Sequence, residues 1–462
     1  MEQPAPDPGA FGPALLAFLE AAVAGAPAAE PPLYARVRDH LGVAPEELEI
    51  VTLELSDTDH RNLQVALDAL LAEPDWGAEL VGVLSRHGGM MPTGMAEIVD
   101  RVGPGPLVGG AARPGPVGYV SAQVEPGRTI DCVSAGLFLL AHGDRRLAAA
   151  ISRADRGMEI RVRLDVLAPE RDEARALVER LRGLMRERNV FRSRAVSFLR
   201  TEHGRFTLEL VALPDVARDA VVLPDGVLEA IERHVIGPER HAERLRAAGR
   251  HLKRGLLLHG PPGTGKTLTA MYLAGRMPGR TVVTLTGEAF GAVEAACAMA
   301  RDLQPAMVVL EDVDLVAMER GHPQAVTPLL FSLLNEMDGL AEDADVVFLL
   351  TTNRPDLLEP ALAARPGRVD EAIALPFPDA DGRRRLIALY ARGLDIDADL
   401  EPFVAATAGG SPALIKEWLR RAALRAAERD GAGPLRVGAA ELSVALEELR
   451  GRAELFGARA AD

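Results

Sequence analysis

The segment GPPGTGKT, residues 260–267, contains three glycines, a lysine and a threonine at a spacing that suits phosphate binding. The glycines permit backbone conformations that other residues avoid, so successive amide groups can point inwards at phosphate oxygens. Lys266 would place a positive charge on the β and γ phosphates, and Thr267 would ligate Mg²⁺ at the N-terminus of the next helix. The predicted phosphate-binding set is Gly260, Pro261, Pro262, Gly263, Thr264, Gly265, Lys266, Thr267 and Leu268.

The flanking sequence supports this reading of the loop. The apolar strand RGLLLHG precedes it and the apolar helix LTAMYLAGRM follows it, which is the strand–loop–helix context that the motif requires. The sequence therefore predicts a P-loop that binds ATP together with Mg²⁺.

Two carboxylates follow a second apolar strand. In VVLEDVDLV, residues 308–316, the apolar run ends at Glu311 and Asp312, as a buried parallel strand does when its carboxyl end opens on a site. A further strand, VVFLLTTN, ends at Asn353. Strands that alternate with helices imply right-handed crossovers and a parallel sheet, so we expect Thr267, Glu311, Asp312 and Asn353 to lie near one γ-phosphate.

Composition limits the classes of function. The chain of 462 residues carries a formal net charge of −15, which argues against nucleic acid as its main partner. Cys132 and Cys297 lie far apart, so neither a disulfide framework nor a zinc site is predicted. The N-terminus lacks the features of a signal peptide, and no apolar run approaches the ~20 residues of a transmembrane helix. We expect a soluble, cytoplasmic protein.

The length predicts several domains. Residues 1–105 are predicted to form a mostly helical region, followed by a Gly- and Pro-rich linker over 106–118. Alternating strands and one strong helix predict an α+β adaptor domain over 119–215. An α/β P-loop domain is expected over 216–378, and a small helical lid over 379–462.

Several motifs in order resemble those of the AAA ATPases. They are GPPGTGKT, LEDVD, LLNEMDGL at 333–340 and TTNRPDLLEPALAARPGRVD at 351–370, within a matching region of about residues 222–425. The resemblance implies a homo-oligomeric, usually hexameric ring with ATP between neighbouring subunits. It also implies that Asn353 holds the attacking water, and that Arg365 and Arg368 are arginine fingers that reach the neighbour's site. In the lid, Pro412 replaces the family's usual small residue before Ala413.

The acidic pair departs from the usual family order, which is Asp then Glu. By position, Glu311 would support the Mg²⁺ shell and Asp312 would polarise water, with a side chain one methylene shorter than usual. The same Glu-Asp order resembles the mitochondrial AAA protein that moves the Rieske iron–sulfur subunit. We therefore expect a working ATPase, and the alternative is an ATP-gated oligomeric scaffold with little turnover.

The segment LTGEAFGAVEAACAMARDLQP is about nine residues shorter than the corresponding segment of protein-threading relatives, where a pore loop would lie. Phe290 is expected to be an ordinary packed residue at the helix start, and the alternative is a reduced pore contact. The prediction is ATP-driven remodelling of an unknown protein client bound by residues 1–215. A membrane-associated translocase and a DNA-directed motor are the weaker alternatives. The C-terminal ELFGARAAD lacks the ending by which proteasomal ATPases dock.

Overall fold

The structure is a computed structural model of the chain, and it describes most of its residues. The described residues are 12, 13, 15, 17, 30–84, 94–100, 112–155, 160–202, 204–314, 335–337, 339, 344–356, 369–430 and 435–455, without the side chains of 430 and 452–455. They fall into two compact units, divided between Val190 and Phe191. Within the described ranges, no helix has both the length and the apolar character needed to cross a membrane.

The first unit contains one sheet and four described helices. Its strands are β1 (Val51–Ser56), β2 (Trp76–Leu84), β3 (Arg113–Gly115), β4 (Gly118–Glu125), β5 (Arg128–His142), β6 (Arg145–Asp155) and β7 (Ile160–Leu167). Its helices are α1 (Pro32–Leu41), α2 (His60–Leu71), α3 (Met95–Ile98) and α4 (Arg171–Glu187). The strands pair antiparallel in the order β1-β7-β6-β5-β2-β3, and β4 pairs with β5.

Both faces of this sheet are covered. Alternate residues of β5 point to opposite faces, so Phe138 and Leu140 pack with α2 and α4, whereas Leu137 and Leu139 pack with α1 and α3. Because each face has its own apolar core, β5 and β6 read as nearly continuous apolar runs in the sequence.

Helices outnumber strands among the described residues of the predicted helical region 1–105, but that region is not separate from the predicted α+β domain. Strands β1 and β2 lie within that range, and both belong to the same sheet as β5–β7. The predicted linker over 106–118 is partly wrong, because β3 pairs with β2 inside it. These strands are short and their partners are distant in sequence, so local periodicity gave no sign of the pairing.

His60 is a buried titratable group from which we expect a pH dependence in the stability of the first unit. Its side chain is 2% exposed, and Nε2 lies 2.8 Å from the carbonyl oxygen of Val133. Burial lowers the pKa of His60 below its ordinary 6.5. The unfolded chain therefore takes up a proton near pH 6.5 that the folded chain does not.

We expect the free energy of unfolding of the first unit to fall as the pH drops below 6.5, by at most about 1.4 kcal/mol per pH unit from this group. Amide hydrogen exchange in β5 and β6, corrected for intrinsic rates, measures this loss. His60→Gln keeps a donor for Val133 and should lose less stability on acidification. An equal loss in both proteins would show that His60 is not responsible.

The second unit is built on a seven-stranded sheet. Its strands are β8 (Ala195–Arg200), β9 (Phe206–Val211), β10 (Arg254–His259), β11 (Thr281–Thr286), β12 (Ala306–Glu311), β13 (Val346–Thr352) and β14 (Glu371–Ala374). The order is β14-β10-β13-β12-β11-β8-β9, and every pair is parallel except β8 with β9. The described helices before and between these strands are α5 (Val227–Val235), α6 (Gly237–Arg240), α7 (Ala242–Ala247), α8 (Lys266–Gly275) and α9 (Val293–Asp302). The parallel sheet predicted from β10 to β13 is confirmed.

Strands β8 and β9 correct the predicted domain boundary. The sequence predicted that they complete an α+β domain ending at 215, but β8 pairs with β11 of the P-loop sheet, and the unit boundary lies after Val190. The alternation of residues identifies a strand but not its neighbour, because ladder hydrogen bonds are made by backbone groups that nearly every residue carries.

Four described helices and a small sheet follow. The helices are α10 (Ala380–Tyr390), α11 (Glu401–Ala406), α12 (Pro412–Asp430) and α13 (Ala439–Leu455), and β15 (Asp395–Asp397) pairs parallel with β16 (Arg436–Gly438). Asp379 caps α10 by accepting a hydrogen bond from the amide of Gly382 at 2.7 Å. Trp418 is fully buried at the centre of these helices and donates from Nε1 to the carbonyl of Leu442 at 2.8 Å. This part of the chain is called the lid below.

Candidate functional site

A cleft of about 340 Å³ lies between the P-loop, the ends of two sheet strands and the lid. It is lined by Ala220, Val221, Val222, Leu223, Pro262, Gly263, Thr264, Gly265, Lys266, Thr267, Leu268, Thr269, Asp312, Asn353, Leu386, Tyr390, Pro412, Ala413 and Lys416. One end is therefore polar and charged, and the other is mostly apolar. A nucleotide has the same division between its phosphates and its base.

The P-loop has the conformation that its glycines allow. Gly260, Gly263 and Gly265 have φ angles of 146°, 75° and 99°, in the region that side chains rarely adopt. A Cβ at Gly260 would lie 2.3 Å from the carbonyl oxygen of Leu375, and one at Gly263 would lie 3.0 Å from Ala413 Cβ. Helix α8 begins at Lys266 directly after this turn, so its first amide groups have no partner within the helix and can face an anion.

Lys266 is at the centre of the polar end. Its side chain is 6% exposed, and Nζ donates to the carbonyls of Gly260 and Pro261 at 2.8 and 2.9 Å and to Asn353 Oδ1 at 2.8 Å. Burial lowers the pKa of Lys266, and the charges of Asp312 and Asp314 act in the opposite direction. A positive charge is thus held in place where the phosphates are predicted to bind.

Asp312 and Asn353 contact each other beside this lysine. Asn353 Nδ2 donates to Asp312 Oδ1 at 3.2 Å, so the amide of Asn353 bridges Lys266 and Asp312. Both residues line the cleft together with Thr267. Of the four residues that were predicted to lie near one γ-phosphate, Thr267, Asp312 and Asn353 thus line the same cleft.

Glu311 ends β12 and differs from its neighbour. It is not among the residues that line the cleft, and its buried Oε1 accepts no hydrogen bond from any described residue. Burial raises the pKa of Glu311, and the adjacent charge of Asp312 raises it further. The ionised form of this carboxylate would be stabilised by a nearby cation.

The oxygen donors at this end suit Mg²⁺, which prefers hard oxygen ligands. Thr267 is an exposed residue on the first turn of α8 and lines the cleft. The carboxylates of Glu311 and Asp312 follow β12, and the buried Oε1 of Glu311 has no other described partner. These residues therefore fit the predicted cation.

Sequence reasoning did not assign several residues of the site. Asp314 is buried and accepts from Thr352 Oγ1 and from the backbone amide of Asn353 at 2.9 and 3.0 Å. Tyr390 and Lys416 of the lid line the cleft, with Lys416 Nζ 6.0 Å from the centre of the Tyr390 ring. Polar residues at the ends of apolar strands were a usable signal for Asp314, whereas the lid positions had none.

Pro412, which replaces the family's usual small residue, also lines the cleft. The backbone amide of Ala413 donates to the carbonyl of Gly263 at 3.3 Å, so α12 contacts the P-loop directly. The predicted arginine fingers, Arg365 and Arg368, lie outside the described residues.

Comparison with known proteins agrees with this geometry. Residues 256–377 match the family described as "ATPase family associated with various cellular activities (AAA)". These residues include the P-loop and strands β11–β14 of the same sheet.

Bacterial FtsH proteins, named ATP-dependent zinc metalloproteases, are similar to this chain. FtsH 1 of Sphaerobacter thermophilus is 33% identical over 287 residues, which cover 58% of this chain and 42% of that protein. FtsH 2 of Symbiobacterium thermophilum is 37% identical over 221 residues, which cover 44% of this chain and 37% of that protein. FtsH of Mycobacterium tuberculosis is 35% identical over 225 residues, covering 45% of this chain and 29% of that protein.

The chain thus spans less than half the length of these relatives. In the second unit, a P-loop, a parallel sheet and a lid surround one cleft, and this structure agrees with the family match. The match to the AAA ATPase family lies within the second unit, over the residues that form the P-loop and strands β11–β14.

Proposed function

We propose that the protein hydrolyses ATP with Mg²⁺ and uses the reaction to remodel a protein partner. The observation that carries the first part is the cleft in which Lys266, Thr267, Asp312 and Asn353 converge. The FtsH relatives are named ATP-dependent, which supports the use of ATP by this chain.

The residues of the cleft and the adjacent Glu311 have different roles in the proposed hydrolysis. Lys266 and the first amides of α8 bind the phosphates and neutralise charge on them. Thr267 and Glu311 would hold Mg²⁺, which supplies charge neutralisation at the phosphates when it is bound. Asn353 orients the Asp312 carboxylate and the attacking water.

Asp312 acts as the general base. The water oxygen attacks the γ-phosphorus, the bond from that phosphorus to the ADP oxygen breaks, and the water proton passes to the Asp312 carboxylate. The apolar end of the cleft, with Val222, Leu386 and Tyr390, takes the base of the nucleotide.

The contacts of the lid with the cleft can couple nucleotide binding to movement of the lid. Its helix α12 contributes Pro412, Ala413 and Lys416 to the cleft and contacts the P-loop through the Ala413–Gly263 hydrogen bond. A ligand that contacts both parts favours the arrangement in which they are close. We propose that subunits assemble in a homo-hexameric ring, with Arg365 and Arg368 completing the neighbour's site, and that the first unit binds the client.

Remodelling is preferred over threading because of the segment between β11 and α9. Residues Gly287–Ala292 form a 3₁₀ turn in which Phe290 is 1% exposed. A Cβ at Gly291 would lie 2.8 Å from the ring of Phe206, and Glu288 forms an ion pair with Arg200 at 3.1 Å. The apolar side chain of this turn is therefore packed inside the unit.

We expect the protein to hydrolyse ATP without unfolding a tagged, stably folded model protein, as followed by loss of the model protein's fluorescence. Phe290→Ala and Val293→Ala form a matched pair, because both remove a buried side chain from the same short segment. ATP-dependent unfolding that is lost in Phe290→Ala but kept in Val293→Ala would contradict remodelling and establish threading.

A further inference from the structure

Contacts between β12 and β13 continue beyond the last residues of their ladder. The ladder pairs Leu310 with Leu350. Past it, the amide of Asp312 donates to Thr351 Oγ1 at 2.9 Å, and the amide of Val313 donates to the Thr351 carbonyl at 3.0 Å. The side chain of Thr351 thus takes the place of a backbone acceptor.

The residue held in this way has an unusual backbone. Asp312 has a φ of 53°, in the left-handed region, and Ser193 is the one other non-glycine residue with a positive φ among the described residues. Such a conformation is unfavourable for a residue with a side chain and persists where surrounding contacts fix it. Asp and Asn tolerate it better than other non-glycine residues.

Thr351 is fully buried and is not among the residues that line the cleft, whereas Asp312 lines it. Thr351 therefore does not contact the cleft directly, and its hydroxyl is linked to the cleft by the hydrogen bond from the Asp312 amide. The fixed turn orients the Asp312 carboxylate towards Asn353, whose Nδ2 donates to Asp312 Oδ1 at 3.2 Å.

We propose that Thr351 is a positioning residue for ATP hydrolysis, because its hydroxyl holds the left-handed turn that brings the short carboxylate of Asp312 to Asn353. This inference rests on the proposed function, in which Asp312 is the general base. It also explains the acidic order of this chain. A left-handed position favours Asp over Glu, and the turn compensates for the missing methylene.

Two substitutions at one position test this role. Thr351→Val keeps the β-branched shape but removes the acceptor for the Asp312 amide, whereas Thr351→Ser keeps the hydroxyl. We expect Thr351→Val to lower kcat about ten- to hundredfold with the KM for ATP changed by less than about threefold. Thr351→Ser should stay within about threefold of the wild type in both constants.

Amide hydrogen exchange of residues 306–314, without nucleotide, provides a readout that does not depend on turnover. The Asp312 amide should exchange about tenfold faster in Thr351→Val and at the wild-type rate in Thr351→Ser, since one hydrogen bond is lost only in the first. If Thr351→Val disturbs packing, as judged by its thermal midpoint, Thr351→Ala replaces it in both measurements.

These measurements test the proposed ATP hydrolysis and the positioning role of Thr351 separately. A wild-type protein without turnover would contradict the proposed hydrolysis, and exchange alone would then decide whether Thr351 holds Asp312. With an active wild type, unchanged kcat in Thr351→Val, or an equal fall in Thr351→Val and Thr351→Ser, would overturn the positioning role.

Discussion

Lys266→Ala should lose ATP binding by a factor of about one hundred or more. The variant removes a buried ammonium group that is predicted to contact two phosphates, and hydrogen bonds to charged groups contribute about 1.5–3 kcal/mol each. It also leaves Asn353 Oδ1 and two P-loop carbonyls without their donor. Titration with a fluorescent ATP analogue measures the dissociation constant.

Lys253→Ala is the matched control for this variant. Lys253 is half-buried in the same unit and donates from Nζ to the Met337 carbonyl at 2.9 Å, but it is not among the residues that line the cleft. Its loss should leave the dissociation constant for ATP within about twofold. Similar affinities for Lys266→Ala and the wild type would mean that the cleft does not bind phosphates through this lysine.

Asp312→Asn should bind ATP about as tightly as the wild type and release almost no phosphate. Asn tolerates the left-handed backbone of residue 312 and has nearly the same shape, so the turn should persist. The amide oxygen is too weak a base to accept the water proton, and loss of a general base lowers kcat by about 10²–10⁴-fold. Binding is measured by titration and kcat by phosphate release.

Asp356→Asn serves as the control for the loss of one negative charge. Asp356 lies shortly after β13, is exposed, and pairs with Arg354 at 2.7 Å outside the cleft. We expect kcat within about twofold of the wild type, because exposed ion pairs contribute little. If both variants lost activity equally, a general change in charge rather than the base at 312 would be responsible.

The sequence was sufficient for the parts of the site that depend on local chemistry. The glycines of GPPGTGKT predict a backbone with positive φ, and the structure has it at Gly260, Gly263 and Gly265. The apolar runs that end in Glu311 and Asn353 predict parallel strands, and β12 and β13 pair in that way. In each case the signal lies within a few residues of the feature.

The features that the sequence did not predict depend on contacts between segments that are distant in the chain. Strands β8 and β9 were recognised as strands but assigned to the wrong sheet, because β8 pairs with β11, which lies more than eighty residues further along the chain. Thr351 was noted only as part of the strand VVFLLTTN. Its role depends on the φ of Asp312, and a backbone angle that is held by a tertiary contact has no local signature.

Two lid residues of the site also depend on contacts between segments that are distant in sequence. Tyr390 and Lys416 reach the cleft because α10 and α12 pack around Trp418, and neither position stands out in an amphipathic helix. Arg365 and Arg368 stay predictions based on the family resemblance. Their proposed role concerns a neighbouring subunit, which a single chain does not contain.

We propose that the Glu311–Asp312 pair supports ATP hydrolysis in this fold. Phosphate release at saturating Mg²⁺ and ATP, measured over a range of protein concentrations, tests it most directly. We predict steady release whose specific rate rises with protein concentration, as sites shared between subunits require, and no release above background in Asp312→Asn. Tight ATP binding by the wild type with no more release than Asp312→Asn at any concentration would contradict the claim and indicate a nucleotide-gated scaffold.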